Sequence, residues 1–263
     1  MGRMDEKADA VSGRVRAALA QIAAEEQVRV LFAVESGSRA WGFASPDSDF
    51  DIRFVFVRPV ARYLALRPDR DVIERPLRDE LDIAGWDLRK ALNLLLKPNP
   101  VLLEWLGSPI RYLWEDPAAQ RLAQLAAETE HVRACTAHYA RLAKGAWEDH
   151  VAGRETVSLK GYLYVARASL CVGWIVARRV GPPPVRLRAL LAAGMADPET
   201  CAEIAALMAE KSAAGEGATG RRRPRLDRYY RAMQDRGRVL PPGPRPDSLA
   251  ERADRLFREV VLG

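Results

Sequence analysis

Asp49 and Asp51 stand two residues apart in the stretch ESGSRAWGFASPDSDFDIR, Glu35 to Arg53. On a strand this spacing puts both carboxylates on one face, while Phe50 and Ile52 point the other way into a core. Two ionised carboxylates side by side repel each other, so holding both on one face calls for a cation between them. Hard oxygen donors of this kind suit Mg²⁺, which keeps some of its waters and takes further ligands from substrate phosphates. Twelve residues before Asp49, Gly37-Ser38 ends an apolar run. The glycine lets backbone N–H groups approach an anion, and the serine hydroxyl can bond a phosphate oxygen. A phosphate turn beside metal carboxylates describes a nucleoside triphosphate site.

Two metals that clamp the attacking and leaving oxygens of an in-line displacement need a further ligand. Asp82, flanked by Leu81 and Ile83 on an expected strand, is the candidate. Asp87 is its rival, but Asp87 stands where a helix N-cap is wanted and so has a structural task of its own. Arg39, two residues past the glycine, suits either a phosphate contact or neutralisation of the acidic strand. Asp47, in the run Ser-Pro-Asp-Ser, reads as a turn residue. Farther on, Lys160, Tyr164 and Arg167 fall at i, i+4 and i+7, one face of a helix. Lysine is scarce, six of the 41 basic residues, which singles this face out as a candidate to close over the triphosphate and base. A solvated basic stripe is the simpler alternative. His131, Cys135 and His138 share a helix face in the same spacing, but the set lacks a fourth ligand and zinc is not expected.

These residues need positioning elements. Residues 5 to 26 read as an amphipathic helix with Val11, Val15, Leu19 and Ile22 on one side. The period then changes: Val28 to Val34, Asp51 to Val57, Asp71 to Glu74 and Glu80 to Trp86 read as strands of a mixed sheet of about four. From Asp87 the pattern turns helical through Lys97. Further helices are expected at 100–107, 117–128, 131–150, 157–179, 185–193, 197–212, 225–236 and 247–261. The segment Ala213 to Arg225 mixes Ala, Gly and three consecutive Arg and reads as a mobile loop. The fold class is therefore α+β. A small mixed-sheet module with flanking helices occupies residues 1–115, and an all-helical module occupies 116–263.

Gly37-Ser38, the pair Asp49-Phe50-Asp51 and the strand-borne Asp82 together resemble the polymerase-beta nucleotidyltransferase superfamily. The fuller text from Gly37 to Arg53, and the later run GWDLRKALNLLLKPNPVLLEWLGSPIRY from Gly85 to Tyr112, is similar to its bacterial and phage branch of RNA-repair-associated polymerase-beta-like proteins. Lys160 to Pro184 resembles that branch more loosely. The resemblance implies that Gly37 and Ser38 bind the triphosphate and that Asp49 and Asp51 bind both metals, Mg²⁺ or Mn²⁺ in its place. Asp82 would complete the catalytic metal site and help deprotonate the attacking hydroxyl. The implied reaction moves a nucleoside monophosphate from an NTP to a hydroxyl and releases pyrophosphate, with RNA as the acceptor. Two alternatives stand beside it. One is the same transfer to a protein or to an aminoglycoside-like small molecule. The other is a module that senses NTP or binds RNA without catalysis.

Composition bounds the remainder. With 48% hydrophobic and 29% charged residues, the chain is neither a disordered tail nor a fibrous repeat. It has no run approaching the roughly 18 apolar residues of a membrane span and no apolar core of a signal peptide near its start, so a cytoplasmic protein is expected. Cys135, Cys171 and Cys201 lie far apart without CxxC spacing and read as inert thiols. The net charge of +6 suits a polyanionic partner, but arginine accounts for most of the basic residues, so the total is a weak guide. The run Arg221-Arg222-Arg223 with Arg225, Arg228 and Arg231 is a candidate RNA contact.

Overall fold

Strand register decides where the candidate carboxylates stand. The computed structural model describes residues 2–97, 99–129, 131–237 and 248–263. Strands β1 (Arg29–Glu35), β2 (Phe50–Val57), β3 (Val72–Arg78), β4 (Leu81–Asp87) and β5 (Arg111–Leu113) form one sheet in the order β3-β4-β2-β1-β5. Only the β2–β4 pairing is parallel. Leu31 to Val34 and Phe54 to Val57 are buried on both faces, as central strands require, which explains their unbroken apolar runs. The sequence reading lacked β5, whose three residues are too few to show a period of two.

The two sheet faces carry different cores. Helix α1 (Gly2–Glu26) lays Val11, Val15, Leu19 and Ile22 against Phe50, Ile52, Phe54 and Phe56. Val55 and Val57 point to the other face, under α4 (Leu88–Leu96) and α5 (Pro100–Leu106). Asp51 and Arg53 share that second face but lie at the open end of β2. The second core continues without a break into α6 (Pro117–Ala127), α7 (Val132–His150), α8 (Leu159–Arg178), α9 (Leu187–Ala192), α10 (Pro198–Ala214), α11 (Pro224–Gly237) and α12 (Leu249–Leu262). Helix α8 is apolar nearly all round, and it runs through the middle of this bundle against α7, α10 and α11. The last helix, α12, folds back onto α4 and α6.

Short helices α2 (Gly37–Trp41) and α3 (Val60–Tyr63) fill the connections after β1 and β2. The region after residue 116 is not wholly helical. Strands β6 (Thr156–Ser158) and β7 (Thr219–Arg221) pair antiparallel, so the expected mobile loop Ala213 to Arg225 holds the end of α10, a strand and the start of α11. Among the described residues, no helix is long and apolar enough to cross a membrane.

Candidate active site

Strand β1 delivers the chain to Gly37, whose φ of +58° suits a residue without a side chain. Here the glycine is also a spatial requirement, because a Cβ would stand 2.0 Å from Asp51 Oδ2. Ser36 N–H donates to the Asp51 carbonyl at 2.8 Å, which ties the turn to the start of β2. Ser38 is buried, and its carbonyl accepts from Gly42 and Phe43, both at 3.0 Å, so the one-turn helix α2 closes tightly over the turn.

Parallel pairing of β2 with β4 puts Asp51 directly opposite Asp82. The Arg53 guanidinium sits with both, its Nη2 at 3.2 Å from Asp51 Oδ1 and 2.7 Å from Asp82 Oδ2. Its Nη1 donates to the Asp82 carbonyl at 2.9 Å. Burial holds the Asp51 carboxyl above the usual carboxylate range, opposed by Arg53 and reinforced by the charge of Asp82. Asp49 is exposed at the entry to β2. Arg39 is half-buried and folds back on its own loop. Its Nε donates to the Asp49 carbonyl at 3.0 Å and its guanidinium lies 3.7 Å from the centre of the Phe50 ring, so it braces the loop that carries Asp49. Asp87 caps α4 by accepting from Arg89 N–H at 2.7 Å and is buried against the Tyr63 hydroxyl.

Whether these residues fit a divalent cation turns on that arginine. Asp51 and Asp82 offer hard oxygen donors at the half-open ends of two neighbouring interior strands, and one positive group already bridges them, so the pair fits by donor type and charge. Among the described residues, no three His, Cys, Asp or Glu side chains converge closely enough to hold a metal. A third ligand from Asp49 requires its exposed side chain to turn toward the pair.

Lys160, Tyr164 and Arg167 do share a helix face, but that face descends from the space between α8 and Asp51, the cleft, into the core. Lys160, in the first turn of α8, pairs with Glu216 Oε2 at 2.5 Å, and it and Asp51 feel each other's charge. Tyr164 packs edge-on against Trp41, ring centres 5.0 Å apart. Arg167 lies about 10 Å along the axis from Lys160 at the helical rise per residue. It is 1% exposed, 3.0 Å from Glu104 Oε1 and 4.3 Å above the Trp41 ring, so it does not reach the cleft. Of the six arginines of the basic run, three are held by carboxylates, Arg222 on Asp227, Arg223 on Glu210 and Arg225 on Glu199, while Arg221, Arg228 and Arg231 are exposed.

The sequence reading missed two site acids. Glu35 is fully buried beneath the turn, where Oε1 accepts from Asp51 N–H at 2.8 Å and Oε2 accepts from the Tyr112 hydroxyl. Burial pushes its carboxyl up to about 7, against the pull of those two hydrogen bonds. Its signal was an acid closing an apolar strand just before the glycine turn. Glu216 left no such signal, because its partners come from distant parts of the chain. Burial opposes its charge, yet hydrogen bonds from Lys160, Lys211 and Ser48 hold its carboxyl at about 2.

The model of a family described as "RNA repair pathway DNA polymerase beta family" matches residues 11–259. A Bacillus subtilis (strain 168) protein described as "Uncharacterized protein YcgL" is 43% identical over 184 residues, which cover 70% of this chain and 70% of that one.

Proposed function

Because the chain belongs to the RNA repair pathway DNA polymerase beta family, we propose that it transfers a nucleoside monophosphate from an NTP to a hydroxyl of RNA and releases pyrophosphate. The observation that carries this reading is the cross-strand pair Asp51 and Asp82 with the Gly37 backbone pressed against Asp51. Polyphosphate and carboxylates are thereby confined to one strand end, as an in-line displacement at the α-phosphorus needs.

Each residue then has a task. The Gly37-Ser38 backbone receives the triphosphate, and Lys160 at the cleft mouth sets positive charge beside it. Tyr164, packed on Trp41, walls the cleft below Lys160. Asp82, the more exposed of the pair at 41% of its side chain against 30% for Asp51, accepts the proton of the attacking hydroxyl directly or through a water. Asp49, Asp51 and Asp82 would hold Mg²⁺, or Mn²⁺ in its place. When bound, the cation offsets charge on the attacking and leaving oxygens. Arg53 stands beside the position where that cation would be held, with its positive charge between the two aspartates. The enzyme works in the cytoplasm, where NTPs and RNA are both supplied.

The test is transfer of label from α-labelled NTPs to a panel of RNAs with Mg²⁺ present. Transfer is expected for the native protein and its loss for Asp51→Asn and Asp82→Asn with the fold intact. If no RNA is labelled, and Asp51→Asn changes neither metal nor NTP binding, the reading fails. Labelling of a protein or an aminoglycoside instead would keep the chemistry and overturn the acceptor.

A further inference from the structure

Lys211 is the most deeply buried ammonium among the described residues, with none of its surface exposed. A buried cation survives only when it is paired and hydrogen-bonded. Lys211 meets both conditions, since its three N–H donors are taken by Ser45 Oγ at 2.8 Å, Ser48 Oγ at 3.1 Å and Glu216 Oε1 at 2.6 Å. The Ser48 hydroxyl also donates to the same Glu216 oxygen. The other oxygen, Oε2, holds Lys160 at 2.5 Å. One carboxylate therefore joins the first turn of α8, the end of α10 and the turn that leads into Asp49 and Asp51.

The backbone fixes that carboxylate in place. Glu216 N–H donates to Asp47 Oδ2 at 3.0 Å, and Gly215, with φ of +89°, lies so near that a Cβ there would stand 3.0 Å from the same oxygen. Asp47 and both serines thus have a shared purpose, to strap residues 215–216 onto the aspartate loop. Charge completes the picture. Glu216 alone would repel a polyphosphate, but Lys211 offsets it; with Asp47, whose carboxylate accepts from Glu216 N–H, the group of two lysines, one glutamate and one aspartate sums to zero and keeps one ammonium exposed. That ammonium is Lys160, the member open to the cleft, with 41% of its side chain exposed against none for Lys211.

We propose that Glu216, neutralised by Lys211, is the positioning residue for Lys160, aiming its ammonium at the polyphosphate of the bound NTP. This rests on the nucleotidyl-transfer reading above. Glu216 does not touch the nucleotide. It acts by holding a long flexible side chain in one orientation before substrate arrives, which lessens the ordering that binding would otherwise require. Because Glu216 hangs on the Asp47 loop, the lysine is placed relative to the aspartates rather than to α8 alone.

The test compares Glu216→Gln, Lys160→Met and the double variant with the full native chain. Binding of ATP and of GTP is followed in EDTA through tryptophan fluorescence, since Trp41 lies 5.0 Å from Tyr164 in the cleft wall. KM and kcat are then read with Mg²⁺ for the better nucleotide. Glu216→Gln is expected to weaken EDTA binding and raise KM roughly tenfold, the scale of one charge-assisted hydrogen bond, with kcat changed much less. Lys160→Met is expected to do the same, and the double variant to be no worse than Lys160→Met. Unchanged KM in Glu216→Gln, tighter binding in it, or additive losses in the double variant would each overturn the proposal. If thermal melting shows Glu216→Gln misfolded, Glu216→Asp carries the test, since it keeps the charge while drawing the carboxylate back. A native protein that turns over NTP while Glu216→Gln matches it sinks only this inference. A native protein that neither binds nor transfers NTP sinks the functional reading with it.

Discussion

Glu35 shows how far one side chain's environment can depart from its type. It is an acid with no exposed surface, and its two oxygens accept from the Asp51 backbone and the Tyr112 hydroxyl. Its folded value of about 7 lies above the ordinary 4.5, so the native state binds the extra proton. The stability this group contributes is fully present below about 4.5 and is lost as pH rises through about 7. The two values bound the effect at about 3 kcal/mol. Melting of the metal-free protein is therefore expected to fall from pH 5 to pH 8, and Glu35→Gln, which still accepts from Asp51 N–H, is expected to flatten that fall. A variant with the native slope would place the titration elsewhere. The aspartates were legible because spacing alone puts Asp49 and Asp51 on one strand face. Glu35 was not, because an acid ending an apolar run reads the same whether the sheet closes over it or leaves it in water.

Helices were legible as elements because their start signals are chemical. Asn99-Pro100, Asp116-Pro117 and Asp197-Pro198 each pair a capping side chain with a proline in the first turn, and each side chain accepts the backbone N–H expected of a cap. Strands β5, β6 and β7 carry three residues each, too few for alternation to register. The loop Ala213 to Arg225 was misread because small residues and arginines describe a flexible segment by composition, whereas Glu216 and Arg223 are held by Asp47 and Tyr162, far away in sequence. Between β2 and β4 the fit is closer than any pattern could show. A Cβ on Gly85 would stand 2.3 Å from the Phe54 ring, which is fully buried on the central strand. Gly85→Ala is expected to lower stability by about 1–3 kcal/mol, the range for an overpacked core. Denaturant unfolding should show a lower midpoint at unchanged slope. A midpoint equal to the native one would mean that Phe54 moves aside freely.

At the scale of the whole molecule, Arg222, Arg223 and Arg225 end on carboxylates of the helical region, pairings that leave the excess of +6 unchanged but take these three cations out of it. The charged pair that matters most to the assembly is out of sight. Glu104 on α5 accepts from Trp41 Nε1 at 3.0 Å, the Tyr139 hydroxyl at 2.6 Å and Arg167 Nη2 at 3.0 Å. It thereby joins the helix after the glycine turn to α7 and α8, in a core that runs unbroken from the sheet into the bundle. The Arg167 guanidinium, 1% exposed, has one other acceptor in the Val185 carbonyl. Arg167 and Lys160 look alike on one helix stripe, yet depth assigns one to the core and the other to the cleft, and depth is a property of tertiary packing that spacing does not encode. Glu104→Gln leaves the buried guanidinium without its counter-charge, so it is expected to destabilise by about 3–5 kcal/mol. Arg167→Met in the same chain removes the stranded cation, and the double variant should recover a large part of that loss. Equilibrium unfolding of the two single variants and the double one measures the coupling directly. If the two losses simply add, Glu104 and Arg167 do not act as a pair, and the joint between sheet and bundle rests on apolar packing alone.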